Sequence, residues 1–125
     1  MATILIIEDN ATNMKLACLL LRNVGHTVLC ADDAESGLTM ARSDRPDLIL
    51  MDIQLPGMDG LAATALLKAD EATRAIPVIA LTALAMKGDE ERIRAAGCDG
   101  YIAKPLSYQS FLATVAERLA AGPAE

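Results

Sequence analysis

Three carboxylates, a hydroxyl and an ammonium stand where short apolar runs of this chain give out. Glu8-Asp9 follows Ile4–Ile7, Asp52 follows Leu48–Met51, Thr82 follows Val78–Leu81, and Lys104-Pro105 follows Tyr101–Ala103. Carboxylates crowded together repel one another and either hold a proton or recruit a cation. Hard oxygen donors with room for water suit Mg²⁺, which takes octahedral oxygen ligands at about 2.0–2.1 Å; Mn²⁺ could substitute. A cation, a lysine opposite it and a hydroxyl donor are the parts that phosphoryl transfer needs, because that chemistry is mostly positioning and charge stabilisation. Asp52 is the natural nucleophile and would form an aspartyl phosphate. Taken singly, an Asp after a strand is more often a helix cap or turn residue. All five positions falling at one edge is much harder to explain that way.

For those groups to meet, the apolar runs must be strands that end together. Ile4–Ile7 reads as a strand buried on both faces, and the weaker run Thr27–Ala31, Leu48–Met51, Val78–Leu81 and the short Tyr101–Ala103 read as four more strands. Helical patterns separate them. Asn10 caps the first, whose inward positions are Asn13, Leu16, Ala17, Leu20, Leu21 and Val24, with Gly25 ending it. Asp32 with Glu35 forms a capping box for a second helix running to about Ser43, and Asp59 caps a third running to about Asp70. A fourth runs from about Ala85 to Ala96, with Asp89-Glu90-Glu91 favoured in its first turn, and Ser107 caps a fifth that ends near Gly122-Pro123. Strand and helix alternate five times. The expected fold is therefore α/β, a doubly wound five-stranded parallel sheet with helices on both faces. Ligands of such sheets bind beyond the carboxyl ends of the strands.

Composition narrows the classes. A length of 125 residues is one domain, and 53% hydrophobic with 22% charged residues is enough to build a core. Aromatics are 2%, namely Tyr101, Tyr108 and Phe111, so the core is aliphatic and stacking platforms for single-stranded nucleic acid are excluded. A net charge of -6 repels a phosphate backbone and argues against direct nucleic-acid binding. No apolar run approaches the roughly 20 residues of a membrane span, and Met1-Ala2-Thr3-Ile4 lacks a basic leader region. Cys18, Cys30 and Cys98 are odd in number without CxxC spacing and read as reduced cytosolic thiols; the single His26, at a turn, makes zinc improbable.

The set Glu8-Asp9, Asp52, Thr82-Ala83 and Lys104-Pro105, with the stretch from Met51 to Gly60, resembles the receiver domain of two-component response regulators across essentially the whole chain. The stretches Met86–Arg92 and Ala96–Tyr101 are similar to single-domain regulators of the DivK type and to receivers within hybrid histidine kinases. The resemblance implies a flavodoxin-like, CheY-like fold, with a receiver domain over 1–121, a short tail over 122–125 and no output domain. It implies that Asp52 accepts a phosphoryl group from a phosphohistidine. Asp9 and Asp52 would ligate Mg²⁺ with the backbone carbonyl of Gln54, and Glu8 would bind it through water. Lys104 would pair with the phosphoryl group, Thr82 and the Ala83 backbone would bond it, and Tyr101 would turn inward as Thr82 moves. Lys104-Pro105 is expected to be a cis peptide. Ala11, Met14, Cys18 and Leu19 of the first helix, with Pro105 and Leu106, could form a docking patch for a kinase helical bundle. Expected partners are a histidine kinase or histidine phosphotransfer protein and an effector, with the chain cytoplasmic and monomeric or weakly dimeric, and with a place in cell-cycle regulation.

The rival readings are a receiver belonging to a larger regulator or hybrid kinase, an aspartyl-phosphate phosphatase, a flavodoxin-like FMN binder, and a degenerate receiver acting only as a binding module. A phosphatase of that class needs a second Asp two residues after the nucleophile, where this chain has Gln54; an FMN phosphate would be repelled by Glu8-Asp9-Asn10. The intact five-residue set argues against a degenerate receiver.

Overall fold

Five strands alternate with five helices in the computed structural model, which describes residues 2–83, 87–104 and 107–123. They are β1 (Thr3–Ile7), α1 (Ala11–Asn23), β2 (Thr27–Ala31), α2 (Ala34–Asp44), β3 (Leu48–Asp52), α3 (Gly60–Ala69), β4 (Val78–Thr82), α4 (Lys87–Ala95), β5 (Gly100–Ala103) and α5 (Tyr108–Ala120). The strands form one parallel sheet in the order β2-β1-β3-β4-β5. The chain winds outward from β1 to β2, then returns across β1 to β3 and continues the other way. That reversal opens a crevice at the carboxyl ends of β1 and β3. Ile7 pairs with Met51 there, so the next residues of the two strands, Glu8 and Asp52, come level.

The β-branched and aliphatic runs make this sheet because the three inner strands, β1, β3 and β4, bury both faces. Ile4–Ile7, Leu48–Met51 and Val78–Leu81 are at most 1% exposed. Leu5, Ile7, Ile49 and Met51 face α2, α3 and α4 through Leu38, Leu67 and Ile93; Ile4, Ile6, Leu48 and Leu50 face α1 and α5 through Leu20, Leu21, Phe111 and Val115. Burying each such side chain contributes about 1.5–3 kcal/mol, against about 1 kcal/mol for a helix cap. The two-faced core therefore sets the fold, and the caps adjust where helices begin.

Asn10 caps α1, its side chain accepting from the Asn13 N–H at 3.0 Å, and Gly25 follows in the left-handed region at φ 94°. Asp59 caps α3, accepting from the Ala62 N–H at 2.8 Å. The cap of α2 differs from expectation: Asp33, not Asp32, accepts from the Ser36 N–H at 2.7 Å. Strand β2 runs to Ala31, and Asp33 is the residue with extended backbone that still lies three before a free helical N–H. Ser107 sits at the N-cap of α5 but makes no side-chain capping bond.

The inward stripe of α1 is also rotated from expectation. Ala17, Cys18, Leu20 and Leu21 are buried, whereas Leu16 is 41% exposed; Val24, 51% exposed, lies past the last residue of α1 at its C-cap. At about 100° per residue, Leu16 lies roughly 120° from the centre of the buried face, and Cys18 lies within it. Cys18 is thus core, not a surplus surface residue. Among the described residues, no helix is long and apolar enough to cross a membrane.

Candidate functional site

Strand ends from four of the five β-strands position the site. Glu8 continues β1, Asp52 and Thr82 close β3 and β4, and Lys104 follows β5, its backbone N–H bonded to the Thr82 carbonyl at 2.7 Å. Oxygens of Glu8, Asp9 and Asp52, one from each, all lie within 4.8 Å of one another. Glu8 and Asp52 are buried, and Asp9 opens to solvent. The Lys104 ammonium reaches across them, 2.8 Å from Glu8 Oε1 and 3.3 Å from Asp52 Oδ2. Asp52 Oδ1 accepts the Gln54 N–H at 2.9 Å, and Glu8 Oε2 accepts the Asn10 N–H at 3.4 Å.

Two buried carboxylates beside one ammonium cannot both remain charged at no cost, and the protonation pattern follows. Burial pushes Glu8 up to about 7, and its hydrogen bond to Asp52 adds to the rise; Lys104 pulls the other way. Burial also works to raise Asp52, but bonds from the Glu8 carboxyl and the Gln54 N–H, together with Lys104, outweigh it and hold Asp52 below the usual carboxylate range. For Lys104, burial favours the neutral amine, and the two carboxylates more than offset it, so its pKa rises. The pair thus shares a proton that rests on Glu8, leaving Asp52 ionised beside a fixed cation. An ionised, anchored carboxylate with a free lone pair is what a nucleophile or a metal ligand requires.

Tight backbone packing lies beneath the Asp52 carboxylate. Gly60 opens α3 with its N–H on the Ile53 carbonyl at 3.2 Å. A Cβ there would lie 2.2 Å from the Asp52 carbonyl oxygen and 2.6 Å from Ile53 Cα, so only glycine lets α3 start this close to the end of β3.

The structure brings Glu8, Asp9, Asp52 and Lys104 into contact range, with Gln54 adjacent. Thr82 is fully buried at the end of β4, and Ala83 is exposed beyond it. Tyr101 lies on β5, half-buried against the core that packs α4, and its hydroxyl donates to Glu90 of α4. That bond, with burial adding to it, raises the phenol's pKa. Pro105 and Leu106, and with them the cis-peptide expectation, lie outside the described residues. Of the expected docking residues, Ala11 and Leu19 are exposed and Met14 packs partly against the α1 core, but Cys18 is interior for the reason given above. Exposed Leu16 was missed, because the helical period alone cannot fix which arc of α1 meets the sheet. His26 stands at the opposite edge, accepting from the Ala2 N–H at 3.2 Å, with burial lowering its pKa.

Response regulator receiver domains match residues 4–116, and the chain belongs to that family. A relative within it, the polar-differentiation response regulator DivK of Brucella anthropi, is 51% identical over 113 residues, covering 90% of this chain and 92% of its own. The receiver domain of a sensor histidine kinase from Pseudomonas aeruginosa, solved with magnesium coordinated in its active-site cleft, superposes with a TM-score of 0.88 at 36% identity, covering 95% of this chain and 98% of that one. A CheY-like receiver domain protein from Methanospirillum hungatei superposes with a TM-score of 0.87 at 28% identity, over 97% of this chain and 95% of that one.

Proposed function

We propose that the chain is a single-domain response regulator that accepts a phosphoryl group on Asp52 from the phosphohistidine of a kinase or phosphotransfer protein, and signals by phosphorylation-dependent protein contact. The observation that carries this reading is the Asp52 carboxylate, held by the Gln54 N–H and lying within ion-pair distance of Lys104, in a cluster with Glu8 and Asp9. Asp52 attacks phosphorus, and the P–N bond to the donor histidine breaks. Lys104 offsets the charge gathering on the phosphoryl oxygens, and Thr82 with the Ala83 backbone bonds those oxygens afterwards.

The donor set fits a divalent cation, since three carboxylates carry more negative charge than one lysine offsets. Asp9, Asp52 and the Gln54 carbonyl would hold Mg²⁺, with Glu8 through water; when bound, it neutralises the phosphoryl charge. A receiver domain over 1–121 is supported by the 92% of the Brucella relative that the chain spans. A role as phosphoacceptor, not turnover enzyme, is supported by Gln54 at the place where a phosphatase needs its second carboxylate. Three cysteines without CxxC spacing support a cytoplasmic setting, and the relative's name supports a part in polar differentiation. The docking patch is redrawn as Ala11, Met14, Leu16 and Leu19 on α1, with Pro105 and Leu106 retained.

Incubation with acetyl phosphate and Mg²⁺ tests the reading. The wild-type chain should gain one phosphoryl group, and chelation or Asp52→Asn should abolish the gain. Undiminished labelling of folded Asp52→Asn would exclude Asp52 as acceptor.

A further inference from the structure

Edge strand β2 carries a cysteine on the face that α1 covers. Cys30 pairs in register with Ile6, whose side chain belongs to the α1–α5 core, so Cys30 points to the α1 side of the sheet. There its Sγ meets Cys18 Sγ at 3.1 Å. Both are free thiols, and their environments differ: Cys18 is buried, whereas Cys30 is exposed and lines a cleft of about 800 Å³ that opens beside Glu8 and Asp9. Neither residue is among those that hold Asp52 or Lys104.

We infer that Cys18 and Cys30 form a reversible dithiol–disulfide couple, oxidised by hydrogen peroxide and reduced by small thiols, that cross-links α1 to β2. The exposed Cys30 is the first to react. Its thiolate attacks the peroxide O–O bond, giving a sulfenic acid on Cys30 and releasing water. The Cys18 sulfur, already in contact, then attacks the Cys30 sulfur; the S–O bond breaks, and hydroxide leaves as a second water with the Cys18 thiol proton. Two thiols lose two electrons in all, and one peroxide becomes two waters. Burial, with the contact to Cys30, pushes Cys18 up to about 12, which makes it the resolving thiol and not the initial nucleophile. Reduction proceeds by attack of an exposed small thiol on the Cys30 side. Cys98 has no part: it is buried among the residues on the other face of the sheet, with its Sγ 3.8 Å from Thr64 Oγ1.

Intact mass and peptide mapping test the couple on the full chain at low micromolar concentration. Brief hydrogen peroxide treatment should lower the mass of the monomer by about 2 Da. Titratable thiols in denaturant should fall from the three free cysteines to one, and dithiothreitol should restore them. Trypsin cuts at Arg22, the one basic cleavage site between the two cysteines, so the link should appear as two joined peptides containing Cys18 and Cys30. Cys98→Ser should behave as wild type, and Cys30→Ser should not lose mass. A bond involving Cys98, a cross-link between two chains, or accumulation of sulfinic acid on Cys30 with Cys18 still free would overturn the inference. Mapping the wild-type chain decides the matter even if a variant folds poorly.

Discussion

Binding of Mg²⁺ should be pH-dependent because Glu8, not Asp52, keeps the shared proton. Burial and the bond to Asp52 raise the Glu8 carboxyl from 4.5 to about 7. Below that value the folded chain holds a proton that the cation must displace; above it the site is already open. For a group titrating at about 7, affinity at pH 6 is reduced roughly elevenfold from its plateau and at pH 8 by only about 1.1-fold, so the dissociation constant should differ about tenfold between them. Uptake of the cation should release about 0.9 proton at pH 6 and about 0.1 at pH 8. The sign for folding without cation is opposite: a raised carboxyl stabilises the fold most at low pH, and that contribution is lost as pH rises from about 4.5 through 7. Isothermal titration calorimetry in two buffers of different ionisation enthalpy measures both affinity and proton release. Glu8→Gln keeps the shape and removes the titration, so its affinity should be nearly flat from pH 6 to 8. A wild-type dissociation constant unchanged over that range, or an equal slope in Glu8→Gln, would refute the assignment of the proton.

Lys104→Met should move the wild-type pH dependence upward, because Lys104 is the group that pulls Glu8 down; the same calorimetry checks it, and an unmoved or lowered midpoint contradicts it. Gly60→Ala should cost about 1–3 kcal/mol in urea unfolding, since the new Cβ meets backbone that cannot rotate away, and a cost below about 0.5 kcal/mol would show that α3 shifts freely. Lys68→Met should cost roughly 2 kcal/mol, because its ammonium bonds the Arg74 and Ile76 carbonyls and Asp99, which itself accepts the Val78 N–H. Beryllofluoride with Mg²⁺ should shift the amide signals of Thr82 and Tyr101; unchanged signals would remove both from the switch.

The fold was legible where burial demands one residue type. Ile4–Ile7, Leu48–Met51 and Val78–Leu81, short apolar runs alternating with helical patterns, read as strands covered on both sides, and their ends located Glu8, Asp52 and Thr82. The strand order was not legible, since the path from β1 to β2 and back to β3 depends on how helices pack and not on any one segment. Cap positions slipped by one at Asp33 because Asp32 and Asp33 offer the same carboxylate, and only the end of β2 chooses between them. On α1, the period identified a stripe but not its centre, which exchanged Leu16 for Cys18. The contact of Cys18 with Cys30 left no trace in the sequence, because it needs both the face of an edge strand and the rotation of a helix. The proton on Glu8 likewise arises from burial and from a bond to Asp52, which residue types alone do not supply.

The most direct test of the central claim is to trap the phosphorylated chain with borohydride. Reduction of an acyl phosphate converts the acceptor aspartate to homoserine, and tandem mass spectrometry then reads its position. The account predicts homoserine at residue 52, formed only when phosphodonor and Mg²⁺ are both present. Homoserine at position 9, or none at 52 in a chain that has taken up phosphate, would contradict it.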